Sequence, residues 1–370
     1  MSKTPSIAVI PSGYKASKVY SVLPTNGDAD LDFTRNCVAT RVNQNGLLEE
    51  VGLNVPRLDY SDGGCPSLLL ESQRTNYWTN SEGTDVTLNT PYGSFGFYTL
   101  IDSFESRTIT NVGNVNLSFI IRKADGGLPI LSTTGGVGDF YIMINGQSVK
   151  GLNGVLTDIG EGFYVYNLQE TSDGTSISRI ASINNSEINI SLIQYEIGGY
   201  KTSYIPTSGI EVTRFKDEAS KDNLQSYINS SEGVLYAEIN SVSSDTPKRI
   251  TLSDGSGDNR VEFGFDVLDN DLRVIIKENN NNILNLTLNG GFDFNSFNKI
   301  AIKYSSGDTQ VFVNGVSIAQ NSYIFSSIGT LDRLNFSTFN GLVSNFEGKL
   351  KDLRVYNEAL TDAELIELTK

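Results

Sequence analysis

Histidine is absent from this chain of 370 residues. Its absence removes Ser-His and Cys-His nucleophilic systems and every histidine-ligated metal site. Cysteine occurs twice, at Cys37 and Cys65. Two thiols cannot close a zinc site alone, and synthesis in a reducing cytosol keeps them free. No apolar run is long enough for a membrane-spanning helix. The start, MSKTPSIAVIPSGYKAS, is broken by Pro5 and Pro11 and lacks the apolar centre of a signal peptide. Basic residues are outnumbered, 28 Lys and Arg against 43 Asp and Glu, for a formal net charge of −15. Such a chain neutralises no row of phosphates and is repelled by anionic lipid, so neither nucleic acid nor membrane is expected as a partner. Heptads are missing too, which argues against a coiled-coil stalk.

What is present is β-structure. Short alternating runs are punctuated by Gly, Asn, Asp and Ser at the spacing of sandwiches and barrels. The expected fold is all-β: two β-sandwich domains of jelly-roll or concanavalin A-like type after a loop-rich amino-terminal segment, with one short carboxy-terminal helix. The expected divisions are 1–80, 81–215 and 222–370, with the polar stretch KDEASKDNLQ (216–225) as linker. Residues 222–370 are numerous enough to bury one core and fold alone. Asn-Gly pairs at 45–46, 145–146 and 314–315 predict hairpins, the first with both turn residues at positive φ. Thr361 is a good N-cap, Glu364 completes a capping box, and Leu360 and Leu365 are placed as a hydrophobic staple.

Three stretches carry a resemblance. Residues 33–76 contain T-R-x-x-x-A-T-R-V-N (34–43), N-G-L-L-E (45–49), N-x-P-R-x-D-Y (54–60) and L-L-L-E-x-Q-R-T-N (68–76). They resemble a segment that recurs in structural proteins of tailed bacteriophages, ahead of a lectin-like sandwich. Ser72 stands where that segment usually has Pro, and Cys37 where it often has Ser. Its Arg35, Arg41, Arg57 and Arg74 lie among Glu49, Glu50, Asp59 and Glu71. They read as structural ion pairs, with a ligand or subunit contact as the alternative. The pattern Q-x-E-x-G…Y-x-T-S-Y-I-P-T (194–207), followed by V-T-R (212–214), resembles the end of a carbohydrate-binding-module-like jelly roll found in phage proteins. The closing G-K-L-K-D-L-R-V-Y-N-E-A-L-T-D-A-E-L (348–365) is similar to the ending of concanavalin A-like, laminin-G-type domains.

The resemblance implies a virion protein made in the host cytoplasm, a fibre or appendage on the tail or head. Its amino-terminal part would dock on other virion proteins, and fibres of this kind are usually homo-oligomers, commonly trimers. Its lectin-like domains would face host-surface polysaccharide or glycan. The alternatives are a decoration or collar protein that binds only other virion proteins and, third, a glycan-cleaving enzyme. Glycoside cleavage needs two carboxyl groups at a set separation. No acid here lies in a catalytic motif, and no β-helix repeat appears, so the chain is expected not to be an enzyme. Sugar binding uses aromatic faces with polar side chains around them. Trp78, Tyr92 and Tyr98 are the ligand-binding candidates. Laminin-G-type domains often carry calcium. The loop holding Asp254, Asp258 and Asn259 offers hard oxygen ligands for it, and no other cofactor is expected.

Overall fold

The computed structural model describes residues 3–370 except 111, 134–135, 145, 149–153, 175–176, 242–245, 267–270, 290–292 and 340–342. The chain forms two compact units. The first unit comprises Met1–Cys37, Val51–Ser72 and Lys216–Lys370, and the second comprises Val38–Glu50 and Gln73–Phe215. Residues 1–80, expected as a separate region, are therefore shared between the two.

Among its described residues the first unit is a sandwich of an eight-stranded and a nine-stranded sheet. The eight-stranded sheet is centred on Glu232–Ser241 and Gly348–Tyr356. Strands from the amino-terminal part complete it: Ile7–Val9 and Ser67–Leu70 both pair antiparallel with Gly348–Tyr356. In the nine-stranded sheet Leu31–Thr34 pairs with Glu218–Lys221, which pairs in turn with Arg333–Asn335. The expected linker is thus an internal strand. Its E-A-S-K alternation puts Ala219 into the core and Glu218 and Ser220 outward. Phe33, Leu252, Phe263, Val274, Leu334 and Leu353 fill the space between the sheets. Fragment 222–370 would lack Ile7, Val9, Leu31, Phe33, Leu68 and Leu70, all buried in that core. The shared strands argue against the expectation that it folds alone.

The helix is Asp362–Thr369, with Thr361 as N-cap and the reciprocal Thr361–Glu364 capping box in place. Leu360 and Leu365 pack with Val234, Tyr236 and Phe312 on the outer face of the eight-stranded sheet.

A buried ion network joins the pieces of this unit. Arg57 donates to Glu71 Oε2 at 2.6 Å and also to Asp217 Oδ2. Asp217 Oδ1 accepts from Arg35 at 3.1 Å. The backbones of Glu71 and Asp217 add a bond at 2.9 Å, and Asp217 Oδ2 accepts the Glu71 N–H at 2.9 Å. Arg35 also donates to the carbonyls of Cys37, Gly52 and Val55, clasping both ends of the excursion 38–50. Arg35, Arg57 and Asp217 are closed to solvent. For these arginines the geometry is that of structural ion pairs.

Among its described residues the second unit has a six-stranded sheet facing a four-stranded one. Val112–Lys123 and Glu187–Ile197 are central in the first, while Phe104–Thr108, Ile177–Ser182 and Phe140–Ile144 belong to the second. Two of the resembling stretches interlock here. The buried Asn76 donates to the carbonyls of Ile193 and Ile205 at 3.0 and 2.9 Å and accepts from the N–H groups of Trp78 and Tyr195, both at 3.0 Å. Gln194 donates to the carbonyls of Thr202 and Ser203 and accepts from Ile205 N–H.

The turn at Asn314-Gly315 has positive φ at both residues, 48° and 82°. At 45–46 only Gly46 does, with φ 79°. Asn43 accepts from Gly46 N–H and donates to the Leu47 carbonyl, which is a three-residue turn with glycine in the left-handed position rather than the expected two-residue one. Asn145 lies outside the described residues.

Candidate functional site

Outward side chains of the nine-stranded sheet in the first unit line a polar groove of about 270 Å³. Strand alternation sets it out. Leu334 and Phe336 turn into the core, which leaves Arg333, Asn335 and Ser337 outward, beside Glu218, Ser220 and Asp222. The segment after Asn335 crosses this face and adds Phe339 and Asn345. It is pinned by Asn335 Nδ2, which donates to the Phe339 carbonyl at 3.2 Å, and by Thr251 Oγ1, which donates to the Ser337 carbonyl at 2.8 Å.

Charges in the groove are loosely held. Arg333 Nη1 is 3.9 Å from Asp222 and its Nε is 3.4 Å from Asp332, with the side chain 42% exposed. Glu218 accepts from Thr34 at 3.2 Å and pairs with Lys216 near the surface. Phe339 carries the Arg260 guanidinium 5.3 Å from its ring centre. Two half-exposed carboxylates, two amides, two hydroxyls, an arginine and the Phe339 ring therefore share a trough open to water. Such a set can accept and donate hydrogen bonds to vicinal hydroxyls beside an apolar ring face.

The loop expected to hold calcium lies behind two groove residues, with Gly255 against Arg333 and Gly257 against Phe339. Asp254 Oδ1 accepts from Ser256 N and Oγ at 2.8 and 2.6 Å, and Oδ2 accepts from Asn259 Nδ2 at 2.8 Å. Asn259 Oδ1 is taken by the N–H of Asn279 at 2.8 Å. Burial pushes the Asp254 carboxyl up, but the bonds from Ser256 and Asn259 outweigh it and hold the group below its ordinary value. Asp258 is exposed, and only its backbone takes part. The oxygens of Asp254 and Asn259 thus face donors from the protein, and the exposed Asp258 carboxylate is not gathered with them. Among the described residues no three acidic or thiol side chains are gathered for a metal. Gly255 lies at φ 84° against Arg333, where a Cβ would meet the guanidinium carbon at 2.9 Å. The glycine lets the loop back the arginine.

The aromatic candidates lie in the second unit. Trp78 has no exposed surface and packs with Phe119, Phe140 and Tyr166 between the sheets. A ring sealed on both faces cannot stack on a sugar, which corrects its reading as a ligand contact. Tyr92 is half-buried against Phe97 and Phe163 on the outer side of the six-stranded sheet. Tyr98 is half-buried, and its hydroxyl donates to the Asn80 carbonyl at 3.2 Å. The structure brings none of the three into one site. Cys37 is half-buried, Cys65 is exposed, and no disulfide joins them.

Sequence reasoning missed the groove because its two sides come from residues more than a hundred positions apart, and one side had been read as linker. The available signal was the alternation in E-A-S-K and R-L-N-F.

Residues 223–366 match a family model described as the Concanavalin A-like lectin/glucanases superfamily. No curated protein matches the chain significantly. Among solved structures, the CBM40 of the Ruminococcus gnavus IT-sialidase is similar at 16% identity over 38% of this chain and 84% of that one, with a TM-score of 0.34. Domain 4 of AbnA, a GH43 extracellular arabinanase from Geobacillus stearothermophilus, gives 14%, 46%, 81% and 0.34, in complex with arabinotriose. The native heptameric SAP-like pentraxin of Limulus polyphemus gives 14%, 38%, 70% and 0.32. At TM-scores of this size the likeness carries no inference about ligand or mechanism.

Proposed function

We propose that this chain is a non-catalytic protein of a bacteriophage particle, a fibre or appendage on the tail or head, that contacts host-surface glycan through the groove of its first unit. The observation that carries the glycan reading is the groove itself: Glu218, Asp222, Asn335, Asn345 and Phe339 around one open trough. Hydroxyl-rich ligands are recognised by such acceptors and amides beside a ring. The virion reading rests on the resemblance at 33–76 and 194–214. It is supported by the use of those motif residues as interlocking scaffold, Asn76 and Gln194 in one unit and Arg35 and Arg57 in the other. Residues 1–80 would then serve the fold of both units as well as docking on virion partners, in a homo-oligomer.

The carboxylates of the groove argue for binding over cleavage. Glu218 and Asp222 are four residues apart on one extended segment, about 13 Å along the chain. Glycosidase pairs stand about 5 to 9.5 Å apart across the scissile bond. Neither acid is held in a desolvated pocket, as a proton donor working near neutral pH would be.

The test is a glycan array probed with the full chain and with F339A. Wild-type retention of some host-type glycan, lost in F339A with an unchanged melting curve, supports the reading. No retention of any glycan sinks it. Labelling particles with an antibody against residues 222–370 tests the virion part, and saturating antibody should slow adsorption.

A decoration protein that binds only virion partners is the rival. The edge strand Val316–Asn321 favours it, with Val316, Tyr323 and Ile324 exposed beside open backbone groups. Labelled particles whose adsorption is unaffected by antibody would select that reading.

A further inference from the structure

A second surface, in the other unit, has the chemistry of an anion site. Three strands of the four-stranded sheet align Phe104 with Ala181 and Tyr141, and Ser106 with Arg179 and Met143. Directly paired residues of antiparallel strands project from the same face. The inward neighbours Ile180 and Ile142 are fully buried. Phe104, Arg179, Tyr141 and Met143 therefore share the outward face. Phe104 is 50% exposed and Ile177, one step along the same face, 39%.

Arg179 stands at the centre of this face. Its guanidinium carbon lies 3.9 Å from the centroid of the Phe104 ring. Among the described residues it makes no ion pair, although the chain holds 43 acidic side chains. Its Nε is enclosed and has no hydrogen-bond partner. A guanidinium held by stacking keeps its edge of N–H donors free, in a fork that matches a carboxylate. The half-exposed rings of Phe104 and Tyr141 stand on either side, two strand spacings or about 10 Å apart. That is room for a single pyranose ring against an aromatic wall.

We infer that the outward face around Arg179 binds a carboxylate-bearing sugar of a surface glycan. The carboxylate bridges to Arg179 and the ring packs on Phe104 or Tyr141. Nucleic acid phosphate is disfavoured by the net charge of −15. This inference rests on the second unit alone and is independent of the groove in the first.

The test uses the full chain on an array of uronate- and other carboxylate-bearing oligosaccharides, each beside its carboxyl-reduced counterpart. Expected is retention of at least one acidic glycan, weakened tenfold or more by carboxyl reduction. R179Q and F104A should each weaken it as far, and R179K less. Because Arg179 substitution could disturb the sheet, a second measurement uses the wild type. The Arg179 Nε–H resonance should move on adding sodium galacturonate and stay still with galactose. No retained acidic glycan, indifference to carboxyl reduction, full binding by a folded R179Q, or an unmoved Nε–H signal each overturns the inference. Loss of binding in F339A but not in R179Q would assign the acidic glycan to the groove and overturn it too.

Discussion

Arg35 and Asp217 stand 182 residues apart in the chain and meet at 3.1 Å with both side chains sealed from water. Asp217 bonds Arg57 with its other oxygen, so one carboxylate compensates two buried guanidinium groups. Removing a single partner from a buried ionic network leaves uncompensated charge, which costs about 3–5 kcal/mol. Asp217→Ala should therefore destabilise the first unit by that order in urea unfolding. A loss below about 1 kcal/mol, the scale of a surface pair, would mean the network is not enclosed as described.

Fragment 222–370 should show no cooperative melt. Without Leu31–Thr34 and Glu218–Lys221, the strand Arg333–Asn335 loses a neighbour. Without Ile7–Val9 and Ser67–Leu70, Gly348–Tyr356 loses two pairing partners. Calorimetry of the fragment beside the full chain decides the matter, since a sharp endotherm from the fragment alone would contradict the strand sharing.

Trp78→Ala should act on stability and not on recognition. The ring is enclosed between two sheets, and large-to-small changes of this kind cost about 3–5 kcal/mol. Chemical denaturation should register the loss, while glycan retention per folded molecule stays at the wild-type level. Selective loss of retention at unchanged stability would return Trp78 to the ligand.

The capped helix offers a graded pair. Leu365→Ala empties a fully buried position and should cost about 2–5 kcal/mol. Thr361→Ala removes the cap and should cost about 1 kcal/mol. Equal effects, measured by circular dichroism melts, would mean that the helix is not packed on the sheet.

Asp254 gives a pH dependence of known sign. Its folded carboxyl lies below the ordinary value, because the bonds from Ser256 and Asn259 outweigh burial. The folded state thus sheds this proton more readily than the unfolded chain. The contribution is fully present above the ordinary aspartate pKa of about 3.9 and is lost as pH falls through the depressed folded value. Amide exchange at Ser256 should be slow near neutral pH and should lose relative protection in acid. Asp254→Asn should remove that acid dependence, and the same acid profile in that variant would refute the assignment.

Much of the β-architecture was legible in the sequence, and the reason is local. Strands such as Phe140–Ile144 and Leu272–Glu278 alternate, and the Thr361–Glu364 cap is written within four residues. What was not legible depends on pairing across distance. The stretch 216–225 looks like a linker because Asp217, Glu218 and Lys221 are charged. Asp217 is nonetheless buried, since Arg35 and Arg57 arrive from the amino-terminal part to neutralise it. Trp78 looked like a sugar platform by residue type alone, and only the opposing sheet reveals that it is covered. The loop 254–259 offered oxygens, but which donors they face is fixed by Ser256, Asn259 and Asn279 in three dimensions.

The backbone passes between the two units at 37–38, 50–51, 72–73 and 215–216. During synthesis the second unit has all its residues once 215 has left the ribosome. The first unit then still lacks Gly348–Tyr356, the strand that must receive both Ile7–Val9 and Ser67–Leu70. Ile7–Val9 and Ser67–Leu70 therefore wait through the synthesis of the whole second unit before the strand that joins them exists.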